Sequence, residues 1–195
     1  MTWTDDLPMM TELPALFEPT EAELPAARIG YHVTRAGFGT WAANYIRTPA
    51  ADCRYLAFRA WKADPTGQAD FLDTAAAAIV AIIRAWSPVL PSDWTVTTPP
   101  AGASEGGPYP AGILGREVAT RLDLDYQTCL QRTAGKRRHH PKASLEQEPY
   151  AVGVIPPAAV LLVDDFISSG RTLTLARQAL AAAGVPSFSF AWGCD

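Results

Sequence analysis

The stretch that most constrains this chain is Val160-Leu161-Leu162-Val163-Asp164-Asp165-Phe166-Ile167-Ser168-Ser169-Gly170-Arg171-Thr172. Four consecutive aliphatic residues suit a central parallel strand, buried on both faces. Two carboxylates then follow at the strand's carboxyl end, where open α/β sheets place their ligands. Ser-Ser-Gly-Arg-Thr leads straight into a helix expected from about Thr172 to Ala183, with Gly184 suited to its C-terminal cap. Hydroxyls, a glycine and the first free amides of that helix converge on one point. Such a turn attracts anions, because helix N-termini present unpaired donors and a partial positive charge. Carboxylates would repel a phosphate held there unless they have another partner. A sugar diol is one, since carboxylates accept hydrogen bonds from hydroxyls, and they also support Mg²⁺. The residues therefore imply a grip on a ribose 5-phosphate. The plainer alternative is a solvated Asp pair beside a Ser/Gly helix cap.

The rest of the chain supplies further α/β elements. Phe71, Ala75, Ile79, Ile82, Ile83 and Trp86 recur at three- and four-residue intervals, predicting a helix over 68–86 that ends at Ser87-Pro88. Trp94-Thr95-Val96-Thr97-Thr98 reads as a strand that runs into a Pro/Gly loop over 99–108. Pro110 suits a first helical position, and Ile113, Leu114, Val118 and Leu122 give a second amphipathic helix. A last strand is expected over 187–192. Aliphatic strands alternating with helices indicate an α/β fold with an open, mainly parallel twisted sheet flanked by helices. Residues 28–62, aromatic and β-prone at 29–33 and again at 53–62, form a small hood-like N-terminal subregion whose form stays open.

Composition narrows the class. The 195 residues suit one domain, read as 28–195 behind a Pro- and Glu-rich arm at 1–27. Three widely spaced cysteines and no C-x-x-C argue against a disulfide framework or zinc ribbon and fit a reducing, cytoplasmic setting. The aliphatic run from Ala75 stops at Arg84, short of the ~18 residues a membrane span needs, and no signal sequence is apparent. Charge is uneven. The first 25 residues carry six acidic groups and no basic one, whereas 132–142 carries five basic groups and no acidic one. The stretch 131–149, long and unpatterned, reads as a basic loop, lid or binding segment. The net charge of -4 makes nucleic acid an unlikely partner. Gly37-Phe38-Gly39-Thr40-Trp41-Ala42 fits G-x-G-x-x-A only formally, because no buried strand precedes it, and G-x-x-x-x-G-K-[ST] does not occur.

The segment 160–172 resembles the PRPP-binding motif of type I phosphoribosyltransferases: four aliphatics, two acids, two variable residues, a hydroxyl pair, Gly, any residue, Thr. The resemblance implies that Asp164 and Asp165 hold the ribose 2- and 3-hydroxyls, and that Ser168, Ser169, Gly170, Arg171 and Thr172 bind the 5-phosphate. It implies that Thr97, Thr98 and Pro99 open the diphosphate loop, and that Mg²⁺ is held indirectly by Asp164 and Asp165. Lys136 and Arg137, with Arg138, would neutralise the leaving diphosphate from a mobile loop. The implied reaction is PRPP-dependent phosphoribosyl transfer to a nitrogenous base. The alternative is a non-catalytic PRPP or nucleotide sensor, or an accessory factor of DNA uptake. The segment 55–62, the Thr-Thr-Pro-Pro loop and the helix at Tyr109-Pro110 look more specifically like the ComF branch. The chain departs from that branch in lacking a four-cysteine zinc module and in having no arginine over 102–108. Lys62 is expected as a snorkelling surface lysine, with a reach to diphosphate or substrate as the alternative. Tyr31, Phe38, Trp41 and Trp192 are the rings suited to stacking on a base, with burial in the core as the plainer reading of each. A homodimer is compatible with all of this.

Overall fold

The computed structural model describes residues 30–33, 39–46, 49, 52–101, 109–133 and 150–195. The acidic arm, loop 102–108, Phe38, and the basic residues Lys136, Arg137 and Arg138 lie outside the described residues. In chain order the elements are β1 (Gly30–Val33), β2 (Gly39–Tyr45), α1 (Cys53–Ala63), α2 (Ala69–Trp86), β3 (Thr95–Thr97) and α3 (Pro110–Leu122). There follow β4 (Asp125–Tyr126), β5 (Leu130–Arg132), β6 (Tyr150–Val152), β7 (Val160–Ile167), α4 (Arg171–Ala182) and β8 (Ser187–Cys194).

Six strands form the main sheet in the order β1-β2-β8-β7-β3-β4. β2, β8, β7, β3 and β4 run parallel, and β1 closes one edge antiparallel to β2. The open, mainly parallel α/β architecture expected from the alternation of elements is therefore present. Strand β7 lies near its middle, which explains its uninterrupted aliphatic run: both faces are covered.

One face of the sheet is covered by α1, α2 and α3. There Phe58, Trp61, Ile79, Ile83, Leu114 and Val118 pack on Leu161, Val163, Phe190 and Trp192. The other is covered by α4 and by a small antiparallel pair of β5 with β6. Leu173, Ala176, Leu180, Leu130 and Tyr150 there meet Val160, Leu162 and Ala191. Val160 to Val163 alternate between the two clusters with the period of two that marks a strand, and Phe166 and Ile167 reverse that order at its end.

Two readings of the sequence need correction. Residues 53–62 are helical, not β-prone. Tyr55, Phe58 and Trp61 recur every three residues, Phe58 and Trp61 are buried, and the Asp52 side chain accepts the Arg54 amide at 2.8 Å as an N-terminal cap. The aromatic content, not the spacing, misled. Gln131 and Arg132, assigned to the basic loop, are instead paired residues of β5, opposite Ala151 and Tyr150. The N-terminal subregion is thus a strand pair added to the sheet edge plus a helix whose aromatic face lies in the main core.

Candidate functional site

β3 leaves the sheet early. Its last register partner on β7 is Leu162, opposite Thr97, whereas β8 continues alongside through Asp164↔Ala191 to Ile167↔Cys194. A crevice therefore opens beside β7 where its aliphatic run gives way to carboxylates. Asp164 and Asp165 lie within the eight-residue strand, not beyond its end. Pairing with β8 on one side keeps the strand extended.

Period two sends the two acids to opposite faces. Asp164 shares the side of Val160 and Leu162 and lines a hollow under the turn into α4. Asp165 shares the side of Leu161 and Val163, and its Oδ2 lies 2.9 Å from Nζ of Lys62 in the last turn of α1. Both carboxylates are buried, at 8% and 5% exposure. The Asp165 amide donates to Asp164 Oδ1 at 2.9 Å. Burial, and next the charge of Asp165, push the Asp164 carboxyl well above the usual carboxylate range; the Asp165 amide and Lys62 act against this.

The turn is built as the composition suggests. Gly170 takes φ 67°, a left-handed conformation that costs glycine little, and stands at the N-terminus of α4. The Arg171 amide donates to Ser169 Oγ at 3.4 Å, and Thr174 Oγ1 donates back to the Gly170 carbonyl at 2.9 Å. Asp164, Ser168, Ser169, Gly170, Arg171 and Thr172 line a small hollow that is open to solvent. Ser168, Ser169, Arg171 and Thr172 are exposed around it. The arrangement offers hydroxyls, a cation and helix-terminal amides beside one buried carboxyl, the donor set a phosphorylated polyol requires.

The exit of β3 is held by hydrogen bonds within the protein. Thr97 is fully buried; its hydroxyl donates to the Gln127 carbonyl at 2.6 Å and accepts the Cys129 amide at 3.3 Å. Thr98, also buried, bonds the Tyr126 hydroxyl at 2.9 Å. These hydroxyls join β3 to the segment around β4. Pro99 is buried as well, and its carbonyl accepts the Tyr109 hydroxyl at 2.6 Å.

Sequence reasoning missed the roles of two residues that meet here. Tyr109, just ahead of α3, pins the β3 exit and stands close enough to the acids that their charge, after burial, raises its phenol far above the ordinary range. Lys62, expected at the surface, is the cation on Asp165. A signal existed for the first in the Tyr109-Pro110 helix start. The second was singled out by the sequence for a reach to diphosphate or substrate, and its pairing with Asp165 is set by the fold. The ring candidates fare differently. Trp192 is core, stacked on Phe58 at 5.1 Å and edge-on to Phe71, and Trp41 packs partly buried against the same cluster. The side chain of Tyr31 lies outside the described residues.

Among the described residues no group of three or more His, Cys, Asp or Glu side chains gathers as a metal cage. Two adjacent carboxylates are nonetheless hard oxygen donors, and Mg²⁺ is commonly held by one or two carboxylates together with ligand oxygens and water. Each of the two, on its own face of β7, fits such shared ligation as a single carboxylate donor.

No protein-family model and no curated protein sequence matches the chain. Among solved structures, similarity is found to adenine phosphoribosyltransferase from Saccharomyces cerevisiae, crystallised with an imino-altritol bisphosphate and adenine. Identity is 17%, coverage 65% of this chain and 69% of that one, and TM-score 0.44. A second adenine phosphoribosyltransferase structure shows 16% identity over 86% of this chain and 85% of its own, at TM-score 0.46. The enzyme from Leishmania tarentolae shows 13% identity over 65% and 71%, at TM-score 0.41. At these identities and scores the similarity assigns neither activity nor substrate to this chain.

Proposed function

We propose that this protein binds PRPP with Mg²⁺ and transfers its phosphoribosyl group to a nitrogenous base, releasing diphosphate. The observation that carries the reading is the buried carboxyl of Asp164 beside the hollow formed by Ser168 to Thr172 at the start of α4. A 5-phosphate placed there meets hydroxyls, Arg171 and helix-terminal amides, while the sugar hydroxyls donate to the acids of β7.

In the reaction the base nitrogen attacks C1, the C1–O bond to diphosphate breaks, and the leaving group takes the electron pair. The nitrogen then gives up a proton to solvent or to a nearby oxygen. Asp164 and Asp165 orient the sugar so that C1 faces the crevice beside β3. Tyr109 holds the Pro99 backbone that walls this crevice. Positioning of this kind lowers the entropic part of the barrier. Mg²⁺, when bound, neutralises charge on the diphosphate. Lys136 and Arg137 would add positive charge from the basic segment.

A second reading has its own support. Asp165 already holds a cation, and the Thr97 and Thr98 hydroxyls are engaged within the protein. A protein that binds PRPP or a nucleotide as a sensor, or as an accessory of DNA uptake in the ComF manner, would need no more than the cradle.

Titration calorimetry with PRPP and Mg²⁺ tests binding, and diphosphate release with purines, pyrimidines and pyridines tests turnover. Replacing both Asp164 and Asp165 with asparagine should abolish PRPP binding with the circular dichroism spectrum retained. Unchanged affinity in that variant would remove the assigned role. Binding by the parent protein without release over the whole panel would select the sensor.

A further inference from the structure

The contact between Lys62 and Asp165 joins two elements far apart in the chain. Lys62 is not a freely waving side chain. It ends α1, a helix capped by Asp52 and anchored through Phe58 and Trp61, which are 3% and 0% exposed. Its ammonium lies 5.4 Å from the centre of the Phe58 ring and 2.9 Å from Asp165 Oδ2. The ring is itself stacked on Phe166, the residue following Asp165, at 5.4 Å. Helix, ring and carboxylate are thus registered against one another, and the cation is delivered to one oxygen by packed structure.

We propose that Lys62 is the resident counter-cation of Asp165, and that Lys62 and a divalent metal ion are alternative partners of this carboxylate. Both would need to lie within ~2–3 Å of the same buried oxygens, where two positive charges repel strongly in a partly desolvated crevice. In the ligand-free protein the ammonium holds the position. A divalent ion gains Asp165 only when the lysine turns outward, a movement its half-exposed side chain permits, and ligand oxygens arriving with the ion favour the exchange. The inference deepens the sugar-phosphate reading and rests on it for where the ion enters.

The test uses Mn²⁺ alone as probe, followed by electron paramagnetic resonance on the full chain without sugar. Lys62→Met keeps the stem over Phe58 and removes the charge. It should bind Mn²⁺ about tenfold more tightly than the parent. Lys62→Arg should stay near the parent value, and Lys62→Met combined with Asp165→Asn should lose the gain. Lys62→Gln serves as a second neutral variant should the methionine form fail to fold. Equal Mn²⁺ affinity in the parent and the neutral variant, or no Mn²⁺ binding by either, overturns the proposal. Because no sugar is present, that failure would leave the PRPP reading standing. Failure of PRPP to bind would in turn leave the Mn²⁺ result intact.

Discussion

Asp164 and Asp165 are adjacent in the chain yet have opposite surroundings, because a strand turns each successive side chain to the other face. Asp165 meets an ammonium, while Asp164 is buried in the wall of the α4 hollow. The raised Asp164 carboxyl has a definite sign for stability. The folded state retains a proton that the unfolded chain has lost, so its contribution is full below the ordinary carboxylate pKa of about 3.9. It declines as pH rises from there toward the raised value. Asp164→Asn removes the titration while its Oδ1 can still accept the Asp165 amide. That variant should match the parent near pH 4. At pH 8 it should exceed it by about 0.5–2 kcal/mol, a rise of ~2–4 °C in Tm for each kcal/mol. Thermal melts at the two pH values check this, and an equal Tm difference at both would refute it. At this scale the sequence showed the acids and the hydroxyl-rich turn plainly. It could not show that Thr97 and Thr98 turn their hydroxyls to Gln127 and Tyr126, because those partners come from a different strand and its approaches.

At the scale of elements, the site depends on how closely α3 lies on the exit of β3. Gly115 permits that approach: a Cβ there would stand 2.5 Å from Thr98 Cγ2 and 3.0 Å from Tyr126 Cε2. Gly115→Ala should therefore destabilise the fold by about 1–3 kcal/mol, the range for overpacking a tight contact. It should also weaken PRPP binding by displacing the Thr98–Pro99 backbone. Urea unfolding and calorimetry read the two effects separately. An alanine variant of unchanged stability would show that α3 is not seated as described. Helix α2 was legible because its apolar residues repeat at the helical period, and strand β7 because an unbroken aliphatic run suits a strand buried on both faces. Helix α1 was legible in its spacing and obscured by its aromatic composition, which strands also favour.

At the scale of the whole molecule, the N-terminal subregion and the described residues after it share one sheet and one core. β2 pairs with β8, and Phe58 and Trp61 of α1 pack among residues of β7, β8 and α2. Unfolding followed by tryptophan fluorescence should therefore coincide with unfolding followed by far-UV circular dichroism, as in a cooperative single domain. Two separated transitions would mean that residues 30–63 form an independent unit. Among the described residues no helix is long and apolar enough to cross a membrane. What the sequence by itself determined is the local grammar: a doubly buried strand, an acid pair, a turn fit for an anion and the helices beside them. Each of these is written in neighbouring residues and in the period of their hydrophobicity. Only the tertiary structure decided which cation meets Asp165, which hydroxyls remain free, and where β3 parts from β7 to open the crevice. Those outcomes depend on contacts between segments distant in the chain, and spacing along a sequence carries no measure of such distances.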